Sequence, residues 1–263
     1  GEGGNDTIDA KGGNDLIFAD NGKLKDDAYV ASASITDGAD KVIGGLGNDV
    51  IVGGGGADKL GGDFDPTLPD PGTGGGADII IGDGAILSVS GGVIGEIKDT
   101  VRGQGGNDVI RGHGGDDLIY GGKGDDNIEG NDGIDQIFAE DGFDVVKGGL
   151  GNDVIRAGKD DDAVEGNEGN DQIWGEDGRD NIKGQDGDDV IYAGAGADVV
   201  TGDAGNDQIW GEADGDRIWG GIGNDIINAG GGTNYVFGED GNDQITSGND
   251  PDTIVGGAGN DVI

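Results

Sequence analysis

An aspartate recurs at every ninth residue along most of this chain, and no other feature constrains its fold as strongly. From Asp99 the series runs Asp108, Asp117, Asp126, Asp135, Asp144, Asp153, Asp162, Asp171, Asp180, Asp189, Asp198, Asp207, Asp216 and Asp225, passes Asn234, and resumes at Asp243, Asp252 and Asp261. Val or Ile stands two positions after each of these, from Val101 to Ile263. Gly stands two positions before nearly all of them from Gly106 on, with Asp160, Asp214 and Asp250 as the departures. A period this strict means a repeat architecture, in which each unit buries its apolar residue only against its neighbours. Catalysis needs a few groups in unlike settings, so an array of equivalent carboxylates points away from an enzyme.

Each unit reads G-G-x-G-x-D-x-U-x with U apolar, as in "GGLGNDVIR" from Gly148 to Arg156. The six-residue G-G-x-G-x-D piece predicts a turn, because Gly reaches positive φ without steric cost. The x-U-x piece predicts a strand of about three residues whose alternation sends U inward and its neighbours outward. Two strands and two turns make a coil of about 18 residues, and coils stack at about 4.8 Å. The outward residues support this count. Taken at every second repeat, Arg111, Glu129, Lys147, Glu165 and Lys183 form one column of alternating sign, and Tyr120, Phe138, Arg156, Trp174, Tyr192 and Trp210 form an aromatic column holding one Arg. Stacking every repeat on the next would scramble the two. A longer repeat, of four units, is visible in "DQIF" at 135, "DQIW" at 171 and 207 and "DQIT" at 243, and Ala157, Ala193 and Ala229 replace the leading Gly at the same spacing.

This pattern resembles the calcium-binding nonapeptide of the RTX (repeats-in-toxin) proteins. It is unbroken over residues 98–263 and recurs in 1–18, 38–62 and 74–82. The resemblance implies an all-β fold, a right-handed parallel β-roll or β-solenoid of about 18 residues per coil with Ca²⁺ between its turns. It also implies that the sixth-position aspartates and turn carbonyls hold those ions. The candidate metal ligands are then the Asp residues of the main series together with Asp6, Asp15, Asp40, Asp49, Asp58 and Asp78. The residues point the same way. Carboxylates about 5 Å apart on one edge repel by roughly 3 kcal/mol at an effective dielectric of 20, and oxygen-only donors suit a hard, geometrically tolerant cation such as Ca²⁺ better than Mg²⁺.

Composition sharpens the requirement. The chain carries a formal charge of −40 over 263 residues, with 65 Gly and no Cys. Such a polyanion cannot bury enough apolar surface to offset its conformational entropy unless cations bind and fold it. Nineteen turns, each paired with the next but one, offer about 17 intervals, and ions in all of them would supply about +34; the weakest sites are expected beside Asn234. The negative field disfavours nucleic acid and anionic membrane surfaces. No apolar run reaches the 18 or so residues of a membrane-spanning helix, so no membrane insertion is expected. An EF-hand loop does not occur in the sequence, and the outer strand columns lack the flat Thr or Thr/Asn ladders of an ice-binding face.

The pattern divides the chain into an interrupted roll over 1–98, with excursions at 19–37, 64–73 and 82–98, and an uninterrupted roll over 99–263. The excursions read as loops or small hairpins that decorate or cap the roll. His113 stands alone in a turn, with no second histidine to assist catalysis. The chain begins and ends inside the repeat and reads as a segment of something longer. The expectation is a non-enzymatic module, folded by extracellular Ca²⁺, that serves as stalk, surface or matrix element of a large bacterial adhesin-like protein exported by type I secretion. The alternative is an accessory module of a secreted hydrolase, epimerase or pore-forming toxin, and a third reading is an acidic ion-buffering polymer. The aromatic outer face is a candidate contact for polysaccharide or another protein.

Overall fold

A computed structural model of the chain describes residues 100–263 and, as backbone only, the strands Thr7–Asp9, Leu16–Phe18, Gly22–Lys25, Ala28–Ala31, Lys41–Ile43, Val50–Gly54, Lys59–Gly61 and Ile79–Asp83. The chain separates into two compact units, Gly1–Gln136 and Ile137–Ile263. Each is a parallel β-solenoid whose successive strands alternate between two sheets.

In the second unit one sheet contains Val154–Lys159, Gln172–Asp177, Val190–Ala195, Gln208–Ala213, Ile226–Asn228 and Gln244–Thr246 in that order. The other runs from Val145–Leu150 through Ala163–Glu168, Asn181–Asp186, Val199–Ala204, Arg217–Ile222 and Tyr235–Asp240 to Thr253–Ala258. Every repeat stacks on the next but one: Ile173 lies on Ile191 and Ile191 on Ile209. Most strands are six residues long rather than the expected three. Because coils stack in parallel along their whole length, the turn backbone pairs as well, so Trp174↔Tyr192 is followed by Glu176↔Gly194 and Asp177↔Ala195.

The first unit keeps this stacking across its interruptions. Thr7 pairs with Lys41, Leu16 with Val50 and Lys59 with Thr100, all much further apart in the chain than the paired residues of the regular coils. The strand ladder therefore continues across these longer connections. Within 19–37, Gly22–Lys25 and Ala28–Ala31 form an antiparallel hairpin. The excursion 64–73, and 82–98 beyond Asp83, lie outside the described residues.

In each unit the core is one file of inward side chains from each of the two sheets. Ile110, Ile119, Ile128, Ile155, Ile173, Ile191, Ile209 and their equivalents are fully buried. Each contributes about 1.5–3 kcal/mol by burial, which is thin against the ordering of a whole nonapeptide per repeat. Outside, the expected columns form. Arg111 pairs with Glu129 at 2.9 Å, and Glu165 bridges Lys147 at 3.6 Å and Lys183 at 3.3 Å; half-exposed pairs like these add at most about 1 kcal/mol each. Trp174, Tyr192 and Trp210 stack with ring centroids 5.6 and 4.6 Å apart and planes within 12° of parallel, and Arg156 lies 5.1 Å from the Trp174 ring. Trp219 and Phe237 stack likewise on the other sheet. The faces of these rings meet one another, so a sugar could not lie flat on Tyr192 without displacing a neighbour.

The fourth turn residue is where backbones come closest. Gly205 sits at φ 149° with the Gly187 carbonyl directly in the path of any Cβ, whereas Gly114 has nothing within 4 Å. Gly205→Ala is expected to lower the melting temperature in calcium by many degrees and Gly114→Ala to change it little; equal effects of the two, measured by thermal denaturation, would refute this stacking.

Candidate metal centres

Each turn delivers its sixth-position aspartate inward, at the point where the chain re-enters the strand. From Asp108 to Asp243 these side chains are at most 3% exposed, with Asn234 among them. Asp252 and Asp261 are half-buried, near the end of the chain. Asp6, Asp15, Asp40, Asp49, Asp58, Asp78 and Asp99 lie outside the residues whose side chains are described.

The aspartates form two separate rows, because stacking joins every second one. In the second unit the backbone N–H of Asp153 donates to Oδ1 of Asp171, that of Asp171 to Asp189, and that of Asp189 to Asp207, each at 2.8 Å. The other row runs Asp144, Asp162, Asp180, Asp198 and Asp216 at 2.8–2.9 Å, then to Asn234 at 2.8 Å and on to Asp252 at 2.8 Å. The first unit repeats the contact from Asp108 to Asp126 and from Asp117 to Asp135. One oxygen of each carboxylate thus locks a coil to the next.

The second oxygen is left over. Oδ2 of Asp162, Asp171, Asp180, Asp189, Asp198, Asp207, Asp216, Asp225, Asp243 and Asp252 is inaccessible to solvent and accepts no hydrogen bond. Burying an ionised acceptor without a partner costs several kcal/mol. Beside it lies more oxygen. A Cβ built on Gly184 would overlap Oδ2 of Asp189 and stand 2.9 Å from the Gly202 carbonyl, and one on Gly220 would overlap Oδ2 of Asp225 and stand 2.8 Å from the Gly238 carbonyl. The first Gly of the turn therefore leaves open a cradle lined by carboxylate and carbonyl oxygen. Among the described residues no three His, Cys, Asp or Glu side chains converge on one point. Backbone carbonyls would have to complete a shell of about six to eight oxygens, a donor set that fits Ca²⁺.

Burial dominates the electrostatics. It pushes the carboxyls of Asp162 and Asp189 up to about 8, those of Asp207 and Asp216 up to about 7, and those of Asp171, Asp180 and Asp225 up to about 6. The backbone N–H bond to Oδ1 opposes this in every case without cancelling it, and the neighbouring carboxylates of the row raise Asp162 and Asp189 further. Without a cation these groups ionise less readily than a free carboxyl.

Two features of the turn go beyond the repeat pattern. The second position also takes positive φ, above 110° in most of its glycines and near 75° in the polar residues that occupy it as often: Asn131, Asn167, Glu176, Gln185, Asp203 and Glu239 among them. The fifth position forms an outer ladder on one edge, where the N–H groups of Asn206, Asn224, Asn242 and Asn260 donate to Oδ1 of Asp188, Asn206, Asn224 and Asn242 at 2.7–3.0 Å. It runs opposite in sense to the inner row. Sorting the turns by every second repeat, as for the strand columns, is the signal that separates this Asx column from the mixed one on the other edge. His113 occupies a second position at φ 75°, and burial lowers its pKa.

Among solved structures, the X-ray structure of a hyperactive, Ca²⁺-dependent, β-helical antifreeze protein from an Antarctic bacterium is similar at 17% identity and a TM-score of 0.45, over 91% of this chain and 83% of that one. No curated protein matches the chain. The family model of the RTX calcium-binding nonapeptide repeat, four copies long, matches residues 1–23, 34–65, 95–128, 129–164, 158–190, 165–200, 174–209, 210–245 and 246–263. With well over half of its length matched, this calcium-binding β-helical repeat module belongs to the RTX calcium-binding nonapeptide repeat family.

Proposed function

We propose that this module folds when calcium enters its rows of aspartates, and that it serves as a stalk, extender or matrix element of a large adhesin-like bacterial protein exported by type I secretion. The observation that carries the reading is that in both carboxylate rows Oδ2 of the aspartates from Asp162 to Asp252 is buried without a hydrogen bond. We assign the sixth-position aspartates from Asp108 to Asp261 as ligands, with carbonyls of the Gly-rich turns. Bound calcium supplies the positive charge that lets adjacent coils close. The chain's own part is to aim Oδ2 into the cradle and to hold Oδ1 on the neighbouring N–H. Cytosolic calcium is too scarce to fill sites with dissociation constants of about 10⁻⁴–10⁻³ M, while extracellular calcium near 10⁻³ M fills them. The polyanion then leaves the cell unfolded and becomes ordered outside. We infer no catalytic role, since the buried carboxylates are near-equivalent copies rather than the unlike pair that acid–base chemistry needs.

A far-UV circular dichroism titration tests this directly. The chain is expected to be coil-like in chelator and to gain β signal cooperatively at about millimolar CaCl₂, with MgCl₂ far less effective. A coil spectrum at all calcium concentrations, or an equal response to magnesium, would overturn it.

The raised carboxyl values make a second expectation. A carboxyl whose folded pKa lies above its unfolded 3.8 destabilises the metal-free fold as pH rises from about 4 towards that folded value, and leaves it unpenalised below about 4. With folded values of about 6 to 8, the chain in chelator should gain β signal as pH falls from 8 to 4, with a midpoint above 5. The calcium needed for folding should rise over the same interval as protons compete. A chelated chain that remains coil down to pH 4 would contradict the burial of these groups.

A further inference from the structure

The two rows of the second unit are not alike. On the edge carrying Asp153, Asp171, Asp189, Asp207, Asp225, Asp243 and Asp261, every turn has Gly at its first and fourth positions. On the edge carrying Asp144, Asp162, Asp180, Asp198, Asp216, Asn234 and Asp252, the first position is Ala139, Ala157, Ala193, Ala229 or Ser247 in all turns but two, and the fourth is Asp160, Asp214 or Asp250 in three. At the first, fourth and sixth positions, every departure from the repeat in this unit thus falls on one edge, while the second position varies on both.

They have physical consequences there. Fourth-position glycines of the regular edge, such as Gly187 and Gly223, sit at φ 142° and 149°, which an L-residue rarely adopts; Asp160 and Asp214 sit at 74° and 69°, and Gly232 at 84°. A change of roughly 60–80° in φ re-aims the adjoining peptide groups. Ala157 and Ala193 carry a methyl at the first position, the position at which Gly184 and Gly220 have none beside Oδ2 and carbonyl oxygen. The irregular edge also carries cations of its own, Lys159 on Asp141 and Arg179 on Asp161, whereas the turns of the regular edge between 148 and 261 contain no Lys or Arg.

Asn234 is the furthest departure. Its Oδ1 accepts the Asp216 N–H at 2.8 Å, as an aspartate there would, so Nδ2 occupies the place of the stranded oxygen. That amide donates to the carbonyls of Gly231 at 3.3 Å and Gly232 at 3.5 Å in its own turn. A neutral N–H₂ group thereby draws turn carbonyls together as a cation would. The strand before this turn, Ile226–Asn228, and the strand that stacks on it, Gln244–Thr246, are the two short ones of their sheet in this unit.

We propose that the two edges are different classes of calcium site: a continuous, tighter row on the edge from Asp153 to Asp261, and a weaker, broken row opposite it, with no ion at the Asn234 turn because the amide takes the cation's place. This rests on the calcium reading above and adds an order of loading, in which the regular edge fills first and the other follows at higher calcium.

The test uses the whole chain, with native mass spectrometry to count ions and a CaCl₂ titration to resolve classes. The wild type is expected to load in two classes. N234D should saturate with one or two more ions, since residue 234 is shared by the intervals to 216 and 252. D207N, on the regular edge, should remove ions from the tighter class and raise its midpoint several-fold, while D198N, in the same coil on the other edge, should leave that class unchanged. Circular dichroism in calcium checks that each variant folds, and because N234D and the D207N/D198N pair are independent, either decides the question alone. An unchanged ion count in N234D, a single loading class, or equal effects of D207N and D198N would overturn the proposal and leave the calcium reading standing. A wild-type chain that bound no calcium would sink both.

Discussion

A carboxylate oxygen buried without a partner is the constraint around which this molecule is organised. One oxygen of each sixth-position aspartate accepts from the preceding coil's backbone, at 2.8 Å in most copies, and the other lies at a first-position glycine beside a carbonyl of the following turn. The hydrogen bond holds the carboxylate in a buried position, away from water. Positive charge or a proton has to come to it. This explains how a chain with a formal charge of −40 can contain a core of single Val and Ile residues: the apolar column sets which face turns inward, and the neutralised rows let the coils approach.

Energetics in such a solenoid are those of neighbours. Each coil touches the one before and the one after, so an interruption costs only what it does locally. The insertions in the first unit, across which Thr7 still pairs with Lys41 and Lys59 with Thr100, leave the register of the strands on either side intact. The Asn234 turn is accommodated in the same way: the strands around it shorten, yet Ile227 still lies on Ile209 and Ile245 on Ile227. The outer columns act on this local scale as well. The Glu165 bridge and the Trp174–Tyr192–Trp210 stack each tie a coil to its neighbours by amounts well below those at stake in the carboxylate rows.

Much of the candidate site is legible without coordinates. The regular series from Asp108 to Asp261 identifies the carboxylates, and the sign-alternating column through Lys147, Glu165 and Lys183 sets the coil at two repeats, as the pairing of those three residues confirms. Other features are not written in the residue pattern. A consensus of G-G-x-G does not reveal that the second position holds Glu176 and Gln185 at φ near 75°, because tolerance of the left-handed region by those residues depends on stacked neighbours that hold them there. Nor does it show that strands continue into the turn, since pairing of turn backbone requires the coil above and below.

By itself, then, the order of residues determined the repeat length, the inward apolar file, the carboxylate at each turn and the demand for counter-charge, because each of these follows from spacing and side-chain chemistry alone. Only the tertiary structure decided which atoms meet. It divided one series of aspartates into two edges, turned one oxygen of each onto a backbone N–H and the other towards carbonyls, and put the Asn234 amide where its neighbours present oxygen. Those are questions of direction across adjacent coils, and a linear pattern carries the distance along the chain but not the orientation of the groups it brings together.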